Sequence, residues 1–239
     1  QSKVDAADSI RLLDRAQLSE LEPDLSQHTK GFYLPEEGQV NAQAFMGASS
    51  EYLLAHPLVT WHAETPVISV DSGRIETDQG LYGFDWVFDA RGLGAREDIS
   101  DLRGVRGEVF WLDAPEVHLT RPVRLMHPRY RIYIVPRPDH RYVVGATEIE
   151  SEDKSPMSVR SSLELLSAVY SVHSGFAEAR IVKTMTNCRP ALQDNLPRIE
   201  QMAQMTRING LYRHGYLLSP AMVERALNFG LYAMPVHTA

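Results

Sequence analysis

Apolar positions recur along this chain with two periods, and the switch between them marks out its elements. Ile10, Leu13, Leu18 and Leu21 fall loosely at helical spacing behind Asp8 or Ser9, with Pro23 beyond them. The pattern predicts a short amphipathic helix over 9–21. A second helix is predicted over 41–56, with Phe45, Tyr52 and Leu53 on one face and Pro57 past its end. Both read as packing elements. From Val59 to Ala90 the period shortens, and LVTW, PVISV, RIET and WVFDA form β-rich runs split by the turn sequences Asp71-Ser72-Gly73 and Asp78-Gln79-Gly80. These runs predict an antiparallel meander and then one buried strand, which leads into WVFDARGLGA, where glycines let backbone approach a ligand closely.

A second set of strands follows: EVFWL (108–112), PVRLM (122–126), YRIYIVPR (130–137) and RYVVGATEIE (141–150), with Pro138-Asp139-His140 as a hairpin turn. On YRIYIVPR, alternation puts Tyr130, Ile132 and Ile134 on one face and Arg131, Tyr133 and Val135 on the other. A helix over 158–172 is predicted from Val159, Leu163, Leu166 and Val169. The strand IVKTMTNCR then runs to Arg189. The chain closes with the strand RINGLYR, a turn at His214-Gly215, and a helix from Pro220 to Leu231 with Pro220 as its first residue. No repeated βαβ rhythm is present, so the class is α+β, mixed α and β around a large, mostly antiparallel sheet.

Composition narrows the function. With 239 residues, 44% apolar, and net charge −7, the chain has the balance of a folded globular protein. The acidic balance, without a Lys/Arg cluster, argues against nucleic-acid or anionic-membrane binding and favours a small acidic or zwitterionic ligand. A lone cysteine, Cys188, excludes an internal disulfide and suits a reducing compartment, which predicts a cytoplasmic protein. No window is apolar enough to span a bilayer, and QSKVDAADS lacks the regions of a signal peptide. A start at Gln1 reads as a piece of something longer or a processed product. The nine histidines show no metal-ligand spacing and H-E-x-x-H is absent, so no metal site is predicted. Ser219 lacks a nucleophile-elbow context and Cys188 an assigned base, which argues against covalent hydrolase chemistry.

Two arginines carry the most chemistry. Guanidinium presents a rigid fork of donors that matches a carboxylate and stays charged at any working pH. Arg189 precedes Pro190, so its backbone is biased to extended and its side chain leaves the end of a strand; it binds a carboxylate or pairs with Asp194 or Glu200. Arg213 carries the same two readings. Tyr133 offers a phenol to a ligand or packs across strands. From Ile208 to Ala226, a strand, a glycine turn and a helix N-terminus suit an electron-rich cofactor edge, or make an ordinary connection in which Gly215 supplies positive φ.

WVFDARGLGA, LRGVRGEVFWL, RPVRLMHPRYRIYIVPRPDHRYVVGATEIES, NCRPALQDNLPRI and NGLYRHGYLLSPA, in this order, resemble the C-terminal two-thirds of the glycine oxidases of thiamine biosynthesis, in the D-amino-acid-oxidase family of flavoenzymes. The resemblance implies an FAD-dependent oxidase of glycine or a similar small amino acid, forming the imine and hydrogen peroxide. It implies that Arg189 pairs with the substrate carboxylate, and that Arg213 and Tyr133 line that end of the pocket. Leu211, Tyr212, Arg213, His214, Gly215, Tyr216 and Leu217 match the loop around the flavin ring, Val67 a backbone contact to the adenosine half, and Gly92 the glycine turn near the cofactor. No acid or base is implied. Residues 1–104 and 181–239 match part of an FAD-binding domain, and 105–180 the core of the substrate sheet. G-x-G-x-x-G is absent, which predicts weak or no FAD binding and little activity by this polypeptide alone. Rival readings are a sarcosine, secondary-amine or tRNA-modifying flavoprotein of the same fold, and a non-catalytic module whose sheet makes a homo-oligomer.

Overall fold

The computed structural model describes residues 10–128 and 131–229. In chain order they form β1 (Arg11–Asp14), α1 (Arg15–Leu21), β2 (Lys30–Tyr33), α2 (Ala42–Ala55), β3 (Val67–Asp71), β4 (Arg74–Thr77), β5 (Gly80–Gly83), β6 (Val87–Asp89) and β7 (Arg103–Asp113). There follow β8 (Val123–Met126), β9 (Arg131–Arg137), β10 (Arg141–Gly145), β11 (Ile149–Glu150), α3 (Val159–Val172), β12 (Arg180–Ala191), β13 (Arg198–Met202), β14 (Met205–Asn209) and α4 (Gly215–Phe229). The largest sheet has the order β11-β7-β10-β9-β8, with β12 also paired to β7, and its resolved registers are antiparallel. The expected α+β class is the one found.

The chain divides into two compact units, one of residues 1–46, 107–148 and 154–187, the other of 47–106, 149–153 and 188–239. Residues 10–46 thus group with most of the 105–180 segment.

In the first unit, alternation along the strands decides which face is covered. Phe110, Leu112, Ile132, Ile134, Tyr142 and Val144 point into one core with Leu165, Ala168, Val169 and Val172 of α3. Ile132 and Ile134 take the buried face that their alternation predicts; Tyr130 lies outside the described residues. The opposite face, with Tyr133, Val135, Val143 and Val109, stays half-buried. The buried stripe of α3 runs through Ser161, Leu165, Ala168, Val169 and Val172, whereas Val159 and Leu163 are exposed. Of the four residues that predict the helix, Val169 lies on the core stripe and Leu166 packs at its edge, while Val159 and Leu163 turn away from it at 3.6 residues per turn. The helix start is as predicted, because Ser158 Oγ accepts from Ser161 N.

Tyr142 ties the core to a loop. Its ring meets Phe176 edge-on at 5.3 Å, and its buried Oη donates to the Val117 carbonyl at 2.6 Å. Burial pushes this phenol's pKa up, and nearby Asp24 and Glu22 add to the effect. Tyr142→Phe keeps the ring and orphans the carbonyl; it should cost about 1–2 kcal/mol in chemical denaturation. An unchanged midpoint would mean that water replaces the hydroxyl.

Three predicted elements need correction. Of the residues predicted as one helix, Arg11–Asp14 are a strand and Arg15–Leu21 a shorter helix, because Asp14 builds a capping box: its carboxylate accepts from Gln17 N at 2.9 Å while Gln17 Oε1 accepts from Asp14 N at 3.1 Å. Arg11–Asp14 is thereby released to pair with Lys30–Tyr33. Helix α2 lies where expected, but none of its residues is buried, and Phe45 and Tyr52 are exposed. Its alanine content and the Asn41 cap on Ala44 N favour the helix. LVTW is not a strand. The meander is β3-β4-β5, since the Asp78-Gln79 turn makes Gly80–Gly83 the partner of β4.

Candidate active site

In the second unit, β6 runs parallel to β14, with Asp89 opposite Arg207, so both strands deliver their following loops to the same end. That is where a parallel pair brings backbone to a ligand. The loop after β6 turns at Gly92, with φ +57, and the loop after β14 turns at Gly210, with φ +76. Gly210 is needed twice over, since a side chain there would also sit 2.7 Å from Leu192 Cγ. Asn209 joins the two loops: its Nδ2 donates to the Gly92 carbonyl at 2.9 Å, and its Oδ1 accepts from Gly210 N at 2.8 Å. A third segment arrives on β12, where the Pro190 carbonyl accepts from Tyr212 N at 3.1 Å. Beneath them Leu192 packs with Ala95, Ile99 and Leu102.

A charge network holds the strand ends. The buried Asp89 carboxylate accepts from Arg91 Nε and Nη2 and from Arg207 Nε, each at 2.9 Å. Asp98 lies 2.5 Å from Arg91 Nη2 and 3.6 Å from Arg207 Nη2, and Glu200 meets Arg207 at 3.4 Å. Burial alone would raise the Asp89 pKa, but the hydrogen bonds from Arg91 and Arg207 outweigh it and bring it down to about 2.

Three predicted segments therefore converge: the Gly92 turn, Arg189-Pro190, and the loop from Leu211 to His214. Arg189 is half-buried near the end of β12, its Nη1 3.4 Å from the Arg106 carbonyl. Glu200, one of the partners that sequence offers it, faces Arg198 and Arg207 instead. Arg213 and His214 are exposed, and Gly215, Tyr216 and Leu217 form the first turn of α4. Val67 lies apart on β3, paired with Thr77, and Tyr133 belongs to the first unit.

The predicted end of the chain changes in two ways. β14 stops at Asn209, so LYR is a turn, with Tyr212 at φ +51. Helix α4 starts at Gly215, one turn early, and holds Pro220 inside it. Proline there has no N–H to give the preceding turn, and Ser219 Oγ bonds the Gly215 carbonyl at 2.5 Å. Leu231 lies outside the described residues.

A sequence profile described as FAD dependent oxidoreductase matches residues 2–226. The chain belongs to this family. Among relatives of the chain, a Rhizobium etli protein named for a thiamine biosynthesis oxidoreductase, ThiO, is 39% identical over 216 residues, covering 88% of this chain and 61% of its own. A glycine oxidase of Geobacillus kaustophilus is 27% identical over 226 residues, covering 88% of this chain and 59% of its own. The crystal structure of glycine oxidase from that organism superposes with a TM-score of 0.79 at 25% identity, over 97% of this chain and 66% of that one. An iminodiacetate oxidase from Chelativorans sp. shares the fold at a TM-score of 0.80 and 20% identity, over all of this chain and 67% of that one. The chain thus spans about three-fifths of the length of the first two relatives.

The start of α4 is open to an electron-rich group. The first turn of α4 presents backbone N–H groups with no acidic side chain among them, and a side chain at Gly215 would meet nothing within 4 Å. Partial positive charge at such an end suits an electron-rich ring edge. Among the described residues, no group of three or more His, Cys, Asp or Glu side chains is placed to hold a metal ion, and no helix is long and apolar enough to cross a membrane.

Sequence reading missed Asn209 and the Asp89–Arg207 pair. The motif DARG held a signal, since a carboxylate and an arginine two apart at a strand end can fold back on each other. The link from Asp89 to Arg207 crosses 118 positions and depends on the parallel pairing. Cys188 is buried, as expected.

Proposed function

We propose that this chain supplies the substrate sheet and the flavin-ring half of an FAD-dependent oxidase of small amino acids, with glycine as its preferred class of substrate and thiazole synthesis for thiamine as its setting. The observation that carries this reading is the convergence of the Gly92 turn, Arg189-Pro190 and the 211–217 loop at the end of a parallel strand pair. The relatives named for glycine oxidation and thiamine biosynthesis support the choice of substrate. Arg189 pairs with the carboxylate, and Arg213 and Tyr133 bind further at that end. Leu211 to Leu217 and Gly92 hold the ring, and Val67 serves the adenosine half.

When bound, FAD supplies a two-electron acceptor for the substrate's α-carbon hydrogen and passes the electrons to oxygen, so that amine and oxygen become imine and hydrogen peroxide. The chain's own part is orientation and charge. A guanidinium fixes the carboxylate in one plane, which sets the α-carbon's direction and removes most of its rotational freedom. The amides at the start of α4 favour negative charge beside them. A neutral amine needs no side-chain base, and none is assigned. The acidic balance fits a partner that is a small molecule rather than nucleic acid, and the buried Cys188 fits a cytoplasmic setting.

Visible spectroscopy tests the reading. In the full-length protein loaded with FAD, anaerobic glycine should bleach the flavin band. Bleaching by N-methylated or other secondary amines, with glycine inert, would move the assignment to a sarcosine-type oxidase.

A further inference from the structure

Gly145 closes β10, a central strand of the first unit's sheet, and its cross-strand neighbours are Val109 on β7 and Tyr133 on β9. Arg124 on β8 continues the same rung beyond Tyr133. Tyr142 and Val144 point into the core, so Gly145 lies on the opposite, half-buried face with Tyr133 and Val109. Glycine in a strand weakens it, so its presence asks for a reason. A positive φ is not the reason, because the glycines in that region are Gly73, Gly80, Gly92 and Gly210. Space is. A side chain at 145 would place its first carbon 2.5 Å from Val109 Cγ1, 2.9 Å from Tyr133 Oη and 3.0 Å from Tyr133 Cζ. The end of the Tyr133 ring lies where that side chain would be.

We propose that Gly145 is a positioning residue for the substrate: its bare backbone lets the Tyr133 phenol lie down over β10, and this fixes where the hydroxyl meets the substrate carboxylate. The inference rests on the assignment of Tyr133 made above. Any larger residue lifts the phenol off the strand, while the ring's anchor on β9 and the core face beneath stay as they are. Val109 can yield by rotating about its Cα–Cβ bond, so the displaced group that matters is the hydroxyl.

The test uses the full-length, FAD-loaded protein and four variants: Gly145→Ala, Tyr133→Phe, the two combined, and Gly145→Ala with Val109→Ala. Acetate affinity is read from its perturbation of the flavin spectrum, kcat and KM are measured for glycine, and a thermal melt reports folding. Tyr133→Phe should weaken acetate and raise KM about tenfold, as expected for one lost hydrogen bond to a charged group. Gly145→Ala should do the same with kcat changed less than about threefold, and should add almost nothing in the Tyr133→Phe background. Trimming Val109 restores the melt if alanine crowds that side, and leaves acetate weak. The proposal is overturned if Gly145→Ala binds acetate normally, or if its effect is fully additive with Tyr133→Phe. If Tyr133→Phe itself leaves acetate and KM unchanged, the placement of Tyr133 in the substrate pocket fails, and the inference falls with it.

Discussion

Replacing Arg189 by alanine in the full-length, FAD-loaded protein is expected to lower kcat/KM for glycine by about a hundredfold or more, with the flavin still bound. A charge-assisted pair that loses one partner forfeits about 2–5 kcal/mol, and each 1.4 kcal/mol is tenfold in rate. The larger part should fall on KM, because the guanidinium binds substrate before the C–H bond breaks. Arg189→Lys should recover only a fraction, since an ammonium keeps the charge and loses the two-pronged geometry. The flavin spectrum separates this from collapse of the site: the Tyr212 N–H bond to the Pro190 carbonyl, which helps hold the 211–217 loop, is a main-chain contact that the substitution leaves in place. Oxidation of glycine within threefold of the parent would place the carboxylate contact elsewhere.

The largest effect on stability is expected at Asp89. Asp89→Asn leaves the Arg207 guanidinium, 7% exposed, without its main counter-charge, and removes half of Arg91's fork. Breaking a buried pair from one side costs about 3–5 kcal/mol, enough to unfold a marginal domain. Acid should show the same dependence. The folded pKa of about 2 lies below the ordinary aspartate value of 3.8, so the contribution, about 2 kcal/mol, is fully present above pH 4 and is lost as pH falls through 2. Denaturant melts at pH 7 and pH 3 should converge for parent and variant toward the lower pH. A variant as stable as the parent at pH 7 would show that Asp98 and Glu200 suffice for Arg207.

How much of this was legible in the chain follows from the range of each interaction. The strands of the substrate sheet were, because period-two alternation such as Ile132, Tyr133, Ile134 is written locally and one face must be buried. The segments bearing Arg189, Gly92 and the 211–217 loop were found through resemblance, and the structure brings them to one place. What eluded reading was decided at a distance or by competing local chemistry. Asp14 captured a helix start that Asp8 and Ser9 also offered, because Gln17 could answer it reciprocally. The helix at the end begins at Gly215 and runs through Pro220, whereas local reading puts a proline in the first turn because inside a helix it forfeits a hydrogen bond. For α3 the helix was legible and its covered side only in part: Val169 lies on the core while Val159 and Leu163 face away, because leucine and valine occupy both sides and only the sheet decides which is covered.

The loops of the candidate site are tied by Asn209, the Pro190 carbonyl and the glycine turns, while Arg189, Arg213 and Tyr133 take no part in those particular ties. Ties of that kind are made by main-chain groups and one amide, so they do not depend on which side chains stand at 189 and 213, and on the function proposed above a scaffold of this kind is free to change its preferred amine by point substitution.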